Sequence, residues 1–138
     1  PALTRAVRMS HQFIVFCGQS ALQEAMAFAM VYPDSYYERL LADYTHRRAT
    51  LLDTLQEIGF TTYVPEGTYY ILVNIANLGL GDDVEFCRML TEKAGVAAIP
   101  CSVFWNNRRA GRDLVRFCFC KKEETLNEAG VRLRRWMK

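Results

Sequence analysis

Lysine and histidine are both scarce: Lys93, Lys121, Lys122 and Lys138, with His11 and His46, are the only ones in 138 residues. Both histidines fall in predicted helices without a partner at HExxH or nucleophile-elbow spacing, which sets aside metalloprotease and serine-hydrolase chemistry. The lysines stand at helix ends or in the tail, in reach of water, so none is poised for covalent catalysis. No GxGxxG or GxxxxGK[ST] cradle exists for phosphates. Five cysteines, Cys17, Cys87, Cys101, Cys118 and Cys120, make an odd number without a CxxC pair. That argues against a disulfide framework or zinc knuckle and fits a reducing, cytoplasmic setting. Cys118 and Cys120 share a strand face, but two thiols alone read as small hydrophobes, so no metal is expected. Charge of one sign is lacking as well: 17 basic against 15 acidic residues leave +2, interspersed, with no footprint for nucleic acid or an anionic membrane. The longest nearly apolar stretch, residues 69–80, is broken by Asn74 and Asn77 and falls short of the roughly 20 residues a bilayer span needs.

What is present is enough for a real core: 51% of positions are hydrophobic and 23% charged, the profile of a globular chain. A start at Pro1, without initiator methionine or leader, points to a fragment of a longer product. Leu3, Val7 and residues 11–14 recur at helical spacing, and Ser20 with Gln23 forms a capping-box pattern that opens a second helix running to Pro33. Ser35 with Glu38 predicts a third, about 24 residues long with Tyr37, Leu41, Tyr44, Leu51, Leu52, Leu55 and Ile58 on one face, stopped at Gly59. The period then changes. Residues 60–64 and 69–75 read as a hairpin around Pro65-Glu66-Gly67, and Asp82, Asp83 and Glu85 open a helix that ends at Gly95. Residues 96–99 predict a buried strand stopped by Pro100, residues 114–120 another strand, and residues 121–138 an amphipathic helix with Leu126, Ala129, Leu133 and Trp136 inward. The fold class is α+β: a small mixed, largely antiparallel sheet covered by helices, with a parallel or crossover pairing open for residues 96–99.

Chemistry concentrates at Arg116. Alternation along Leu114-Val115-Arg116-Phe117-Cys118-Phe119-Cys120 places it with Leu114, Cys118 and Cys120, opposite Val115, Phe117 and Phe119. A permanent cation in an apolar strand must reach solvent or meet an anion, and its planar fork suits a carboxylate; the competing reading is an internal ion pair. Gly67-Thr68-Tyr69-Tyr70 puts a glycine before aromatics at a strand entrance, where the backbone can approach a ligand and Tyr69 can offer its ring. Phe104 and Trp105 lie in the loop after residues 96–100, before Asn106-Asn107-Arg108-Arg109, and such a loop can line a pocket.

Gly67-Thr68-Tyr69-Tyr70, Asp82-Asp83-Val84-Glu85-Phe86-Cys87, Gly95-Val96-Ala97-Ala98-Ile99-Pro100 with Ser102-Val103-Phe104, and Val115-Arg116-Phe117-Cys118-Phe119 with Lys122-Glu123-Glu124-Thr125-Leu126 occur in that order. Together with His11-Gln12 through Val15-Phe16 they resemble the C-terminal part of class I/II aminotransferases, in the methionine and kynurenine aminotransferase (glutamine transaminase K) branch. The resemblance implies a fold type I pyridoxal-phosphate homodimer with a large cofactor domain and a small domain built from both chain ends. Residues 1–32 would be the remnant of the large domain, and residues 33–138 the long interdomain helix with the small domain. It further implies that Arg116 grips the substrate α-carboxylate, that Tyr69 lies near cofactor and substrate, and that Phe16 reaches the neighbouring subunit's pocket. Phe104, with Phe16 and Tyr69, suggests hydrophobic or aromatic amino acids, methionine and glutamine among them, with a 2-oxo acid as acceptor. The family's cofactor-bearing lysine, its Asp and its phosphate ligands fall upstream of Pro1, so this segment alone should be inactive. Two departures bear on side-chain preference: Cys17 stands where kynurenine-type members have histidine, and Cys101 where a small or aliphatic residue is usual. The rival from another class is a stand-alone α+β carboxylate-binding or regulatory module; a nucleic-acid binder using Arg108, Arg109 and Arg112 has balanced charge against it.

Overall fold

The computed structural model describes residues 2–138. Two compact units divide the chain, one up to Glu38 and one from Arg39 to Lys138.

The first unit holds α1 (Ala2–Val15), α2 (Ser20–Ala29) and the start of α3 (Asp34–Glu57). The capping box expected at Ser20 does not form: the N-cap is Gln19, whose side chain makes no capping bond. α1 ends on Phe16, whose N–H donates to Gln12 O (3.1 Å) while its backbone adopts φ 56°, a left-handed turn that a bulky residue rarely takes. Phe28, Tyr32, Tyr36 and Tyr37 form a ladder of ring contacts between 5.1 and 5.6 Å, and Tyr37 Oη donates to Ala29 O (2.9 Å). Neither α1 nor α2 buries a residue, and Leu3, Phe13, Ile14, Phe16 and Phe28 are all more than two-thirds exposed.

The second unit is built on a four-stranded sheet of order β1-β2-β4-β3, with β1 (Thr61–Tyr63), β2 (Tyr70–Asn74), β3 (Ile99–Pro100) and β4 (Leu114–Cys118). Every pairing is antiparallel, so the parallel pairing left open for residues 96–99 does not occur. Period-2 alternation divides the sheet. Ile71, Val73, Val115, Phe117 and Phe119 enter the core, while Tyr70, Leu72, Leu114, Arg116 and Cys118 form a half-buried outer face. Against the inner face pack Leu51 and Leu55 of α3, Phe86 of α4 (Asp83–Met89), and Leu126 and Leu133 of α5 (Glu123–Trp136). Tyr37 and Leu41, assigned to the inner face of the long helix by periodicity, are exposed; its core side holds only Leu51, Thr54 and Leu55, with Tyr44, Leu52 and Ile58 half-buried against it. Phe60, Phe86, Phe117 and Trp136 join in edge and tilted ring contacts of 5.8–6.2 Å. α5 comes so close to α3 that a Cβ on Gly130 would lie 3.0 Å from Thr54 Cγ2, which only glycine avoids.

The helix expected to open at Asp82, Asp83 and Glu85 does so, and Asp82 and Glu85 form a full reciprocal capping box that the sequence reading does not name. Its last turn, Leu90–Ala94, widens to π geometry and closes on Gly95 in the left-handed region at φ 65°. The strand expected over residues 96–99 shrinks to Ile99–Pro100 for a reason visible in its hydrogen bonds. The Val96 N–H donates back to Leu90 O (3.4 Å), Thr91 Oγ1 donates to Val96 O (3.5 Å) and Arg132 Nη1 to Gly95 O (3.4 Å), so this backbone is engaged by the helix end and α5 instead of β4.

Candidate functional site

β4 lies between β2 and β3, and Arg116 sits at its centre, facing Leu72 on one side and Ile99 on the other. Its guanidinium carbon lies 4.5 Å from the centroid of the Tyr70 ring and 5.4 Å from that of Phe104. Both distances are within the range of cation–π attraction, so two aromatic rings hold the side chain. No carboxylate comes within 4.0 Å of it among the described residues. Its Nε is buried without a hydrogen-bond partner, the only such side-chain N or O among them. A buried donor left unmade costs about 1–3 kcal/mol, so the fold keeps this arginine at a loss. The internal ion pair that sequence left open is therefore absent.

Two thiols feel its charge. Burial pushes the Cys118 thiol up, while Arg116 pulls the other way. Cys101 is also raised, by burial first and then by Asp83, again against the pull of Arg116. Cys87 is pushed up to about 12 by burial, Asp83 and Cys101. These thiols stay protonated and reinforce the reading of the cysteines as small hydrophobes.

Beyond Ile99, the stretch back to Gly95 diverges from the end of β4 and leaves a cleft of about 490 Å³. Leu51, Leu126, Ala129, Leu133 and Cys118 give it apolar lining, and Arg116 and Lys121 bring positive charge to it, while Arg132 is paired there with Glu128 at 2.8 Å.

The site residues expected from sequence divide as follows. Phe104 is two-thirds exposed and covers Arg116 from the turn Ser102–Phe104. Tyr69 is half exposed and packs edge-on against Tyr70 at 5.7 Å, while its carbonyl accepts from the Phe119 N–H (2.9 Å). It reaches Arg116 only through Tyr70. Phe16 belongs to the first unit, where it has a left-handed backbone and is 87% exposed. Tyr70 is the residue that sequence reading passes over. It lies on the same sheet face as Leu72 and Arg116, so alternation with the β2–β4 register would have found it, but that register is not readable from one chain. A Cβ on Gly67 would meet no atom of the chain within 4 Å, and the left-handed residue of that turn is Thr68, at φ 69°.

The site is thus a half-buried arginine with no acid of its own among the described residues, mounted on an antiparallel sheet between two aromatic rings. Residues 1–133 match the family described as aminotransferase class I and II, and the chain belongs to that family. The structure of N-succinyldiaminopimelate aminotransferase from Mycobacterium tuberculosis superposes with a TM-score of 0.84 at 38% identity, covering 98% of this chain and 35% of that one. A methionine aminotransferase from Escherichia coli superposes with a TM-score of 0.79 at 39% identity, covering 98% and 35%. A kynurenine–oxoglutarate transaminase from Dictyostelium discoideum is 32% identical over 144 residues, 90% of this chain and 33% of its own length. The chain thus spans about a third of the length of the relatives it matches.

Proposed function

We propose that this chain is the substrate-carboxylate-binding portion of an amino acid aminotransferase, and that Arg116 holds the α-carboxylate of amino acid and 2-oxo acid alike. The observation that carries the reading is the guanidinium without an internal acid, its Nε unpartnered and its direction fixed by Tyr70 and Phe104. A carboxylate arriving there replaces water with a bidentate, charge-assisted pair, and its position on a central strand gives the bound acid a fixed orientation. Phe104 and, through Tyr70, Tyr69 add apolar walls that favour hydrophobic or aromatic side chains, methionine and glutamine included. Phe16 is assigned to the neighbouring subunit's pocket in a homodimer; its strained, ring-out backbone supports a role other than packing.

Family membership implies pyridoxal 5'-phosphate, which in the whole protein supplies the electron sink for amino transfer. The chain's own residues do not fit it: all four lysines are exposed, which leaves no enclosed amine to carry it. The cofactor site is accordingly assigned to the large domain of the whole enzyme, with residues 1–32 as that domain's last segment and residues 33–138 as the linking helix and small domain. The unburied apolar faces of α1 and α2 support a partner domain over them. A cytoplasmic location goes with this reading. No helix among the described residues is long and apolar enough to cross a membrane.

The test is transamination of methionine, phenylalanine and glutamine with 2-oxo acids by the whole protein and by this chain. The whole protein is expected to be active and yellow, the 138-residue chain colourless and inactive. A borohydride-reducible cofactor on the chain alone, or a whole protein that binds these amino acids without transferring their amino group, would overturn it.

A further inference from the structure

We propose that Asp83 is a positioning residue for the Arg116 site, acting through the turn that carries Phe104; this rests on the carboxylate-binding reading of Arg116. Asp83 is 1% exposed, and among the described residues no Lys or Arg lies within ion-pair distance of it. Burying a carboxylate without a cation is costly, so its retention requires a reason. Capping α4 is not that reason, because Asp82 already accepts from the Val84 and Glu85 N–H groups at 3.1 and 3.0 Å.

Asp83 is instead directed at the loop that covers Arg116. Its Oδ2 accepts the Ser102 N–H at 2.6 Å, the short distance of a charge-assisted bond, and its own N–H donates to Arg112 O at 2.8 Å. One buried residue therefore holds both the entrance and the exit of the segment between Cys101 and Asp113. Ser102 begins the turn, the Phe104 N–H donates to Cys101 O (3.0 Å), and the turn ends with the Phe104 ring over the guanidinium. Beneath the turn, a Cβ on Gly111 would come within 2.9 Å of Ser102 Cα, so the loop has no slack in that direction. The path runs from carboxylate to turn to ring to guanidinium, with 2.6 Å from the carboxylate to the Ser102 nitrogen and 5.4 Å from the Phe104 ring to Arg116.

The test uses the whole enzyme and 3-phenylpropionate, a carboxylate with no amino group to transfer, alongside amino acid kinetics. Asp83→Ala is expected to raise the 3-phenylpropionate Kd and the amino acid KM by about tenfold, with kcat changed by less than about threefold. Hydrogen exchange at residues 102–105 is expected to quicken. On a Phe104→Ala background the same substitution should add less than about twofold, since the two act along one path. Asp83→Asn keeps an acceptor without the charge and should recover all but about threefold. If Asp83→Ala does not fold, Asp83→Asn decides by faster exchange at Ser102 together with its weaker binding. Parental Kd and exchange in the folded variants, or an undiminished effect on the Phe104→Ala background, would overturn the role of Asp83. If Arg116→Met binds 3-phenylpropionate as tightly as the parent, the carboxylate reading itself fails. Weak binding by Arg116→Met beside unaffected Asp83 variants removes only the positioning role.

Discussion

Replacing Arg116 with methionine separates stability from function at a single residue. Methionine keeps most of the aliphatic stem and removes both the charge and the orphan Nε donor. Two cation–π contacts are lost, at about 0.5–1 kcal/mol each for a part-exposed group. Relief of the unpartnered donor returns about 1–3 kcal/mol. The net change in unfolding free energy should therefore lie between about −1 and +2 kcal/mol relative to the parent, so the thermal midpoint of the chain should move by no more than a fall of a few degrees or a somewhat larger rise. Kinetics should go the other way. Taking one partner from a hydrogen-bonded charge pair costs about 2–5 kcal/mol, which is roughly a 30-fold to 5,000-fold fall in kcat/KM for amino acid substrates. Because the carboxylate is held in the ground state as well, much of the fall should be in KM. Calorimetric melting of the chain and steady-state kinetics of the whole enzyme read the two effects. A loss of more than about 2 kcal/mol of stability with unchanged kinetics would make Arg116 a structural residue and sink the reasoning.

Three further outcomes are expected. Gly111→Ala would push a Cβ to 2.6 Å from Trp105 Cδ1 and 2.9 Å from the Cys101 and Ser102 backbone; urea melts should show a loss of about 1–3 kcal/mol, and an unchanged midpoint would mean the loop has slack. Cys87 keeps its proton in the folded state up to about pH 12, whereas the unfolded thiol releases it from 9.0. The folded chain then binds the extra proton across that window, so its stability falls as pH rises through it, and Cys87→Val should flatten the fall; equal slopes for parent and variant would contradict the burial. The chain alone, with the apolar side chains of α1 and α2 uncovered, should self-associate, and sedimentation at high concentration showing only monomer would count against that surface.

Much of this was legible in the order of residues because each element carries its own period. The alternation in β4 separated Val115 and Phe117 from Arg116 before any coordinates, and Asp82 with Glu85 marked its helix start to the residue. Local pattern failed where a non-local competitor decided. Residues 96–98 have the composition of a strand, but the Val96 N–H and C=O go to the Leu90 carbonyl and Thr91, and Arg132 takes the Gly95 carbonyl just before them. Tyr37 and Leu41 have the period of a packed face, yet both are exposed and neither joins the core. At the site, Arg116 announced itself as a cation among apolar residues. Tyr70 did not, because its relation to Arg116 exists only across the β2–β4 register, and Asp83 looked like one more acid in a helix first turn.

The middle place of β4 governs how its arginine can be moved. With ladders on both flanks, continued by the Phe119 and Ile75 N–H groups toward Tyr69 and Asp113, residue 116 has no hinge of its own. Loosening one loop cannot advance or withdraw it; the whole four-stranded platform must travel as a piece. Under the carboxylate reading proposed for Arg116, recognition at such an anchor would be stiff toward the common acid group, with tolerance for differing side chains left to the rings around it.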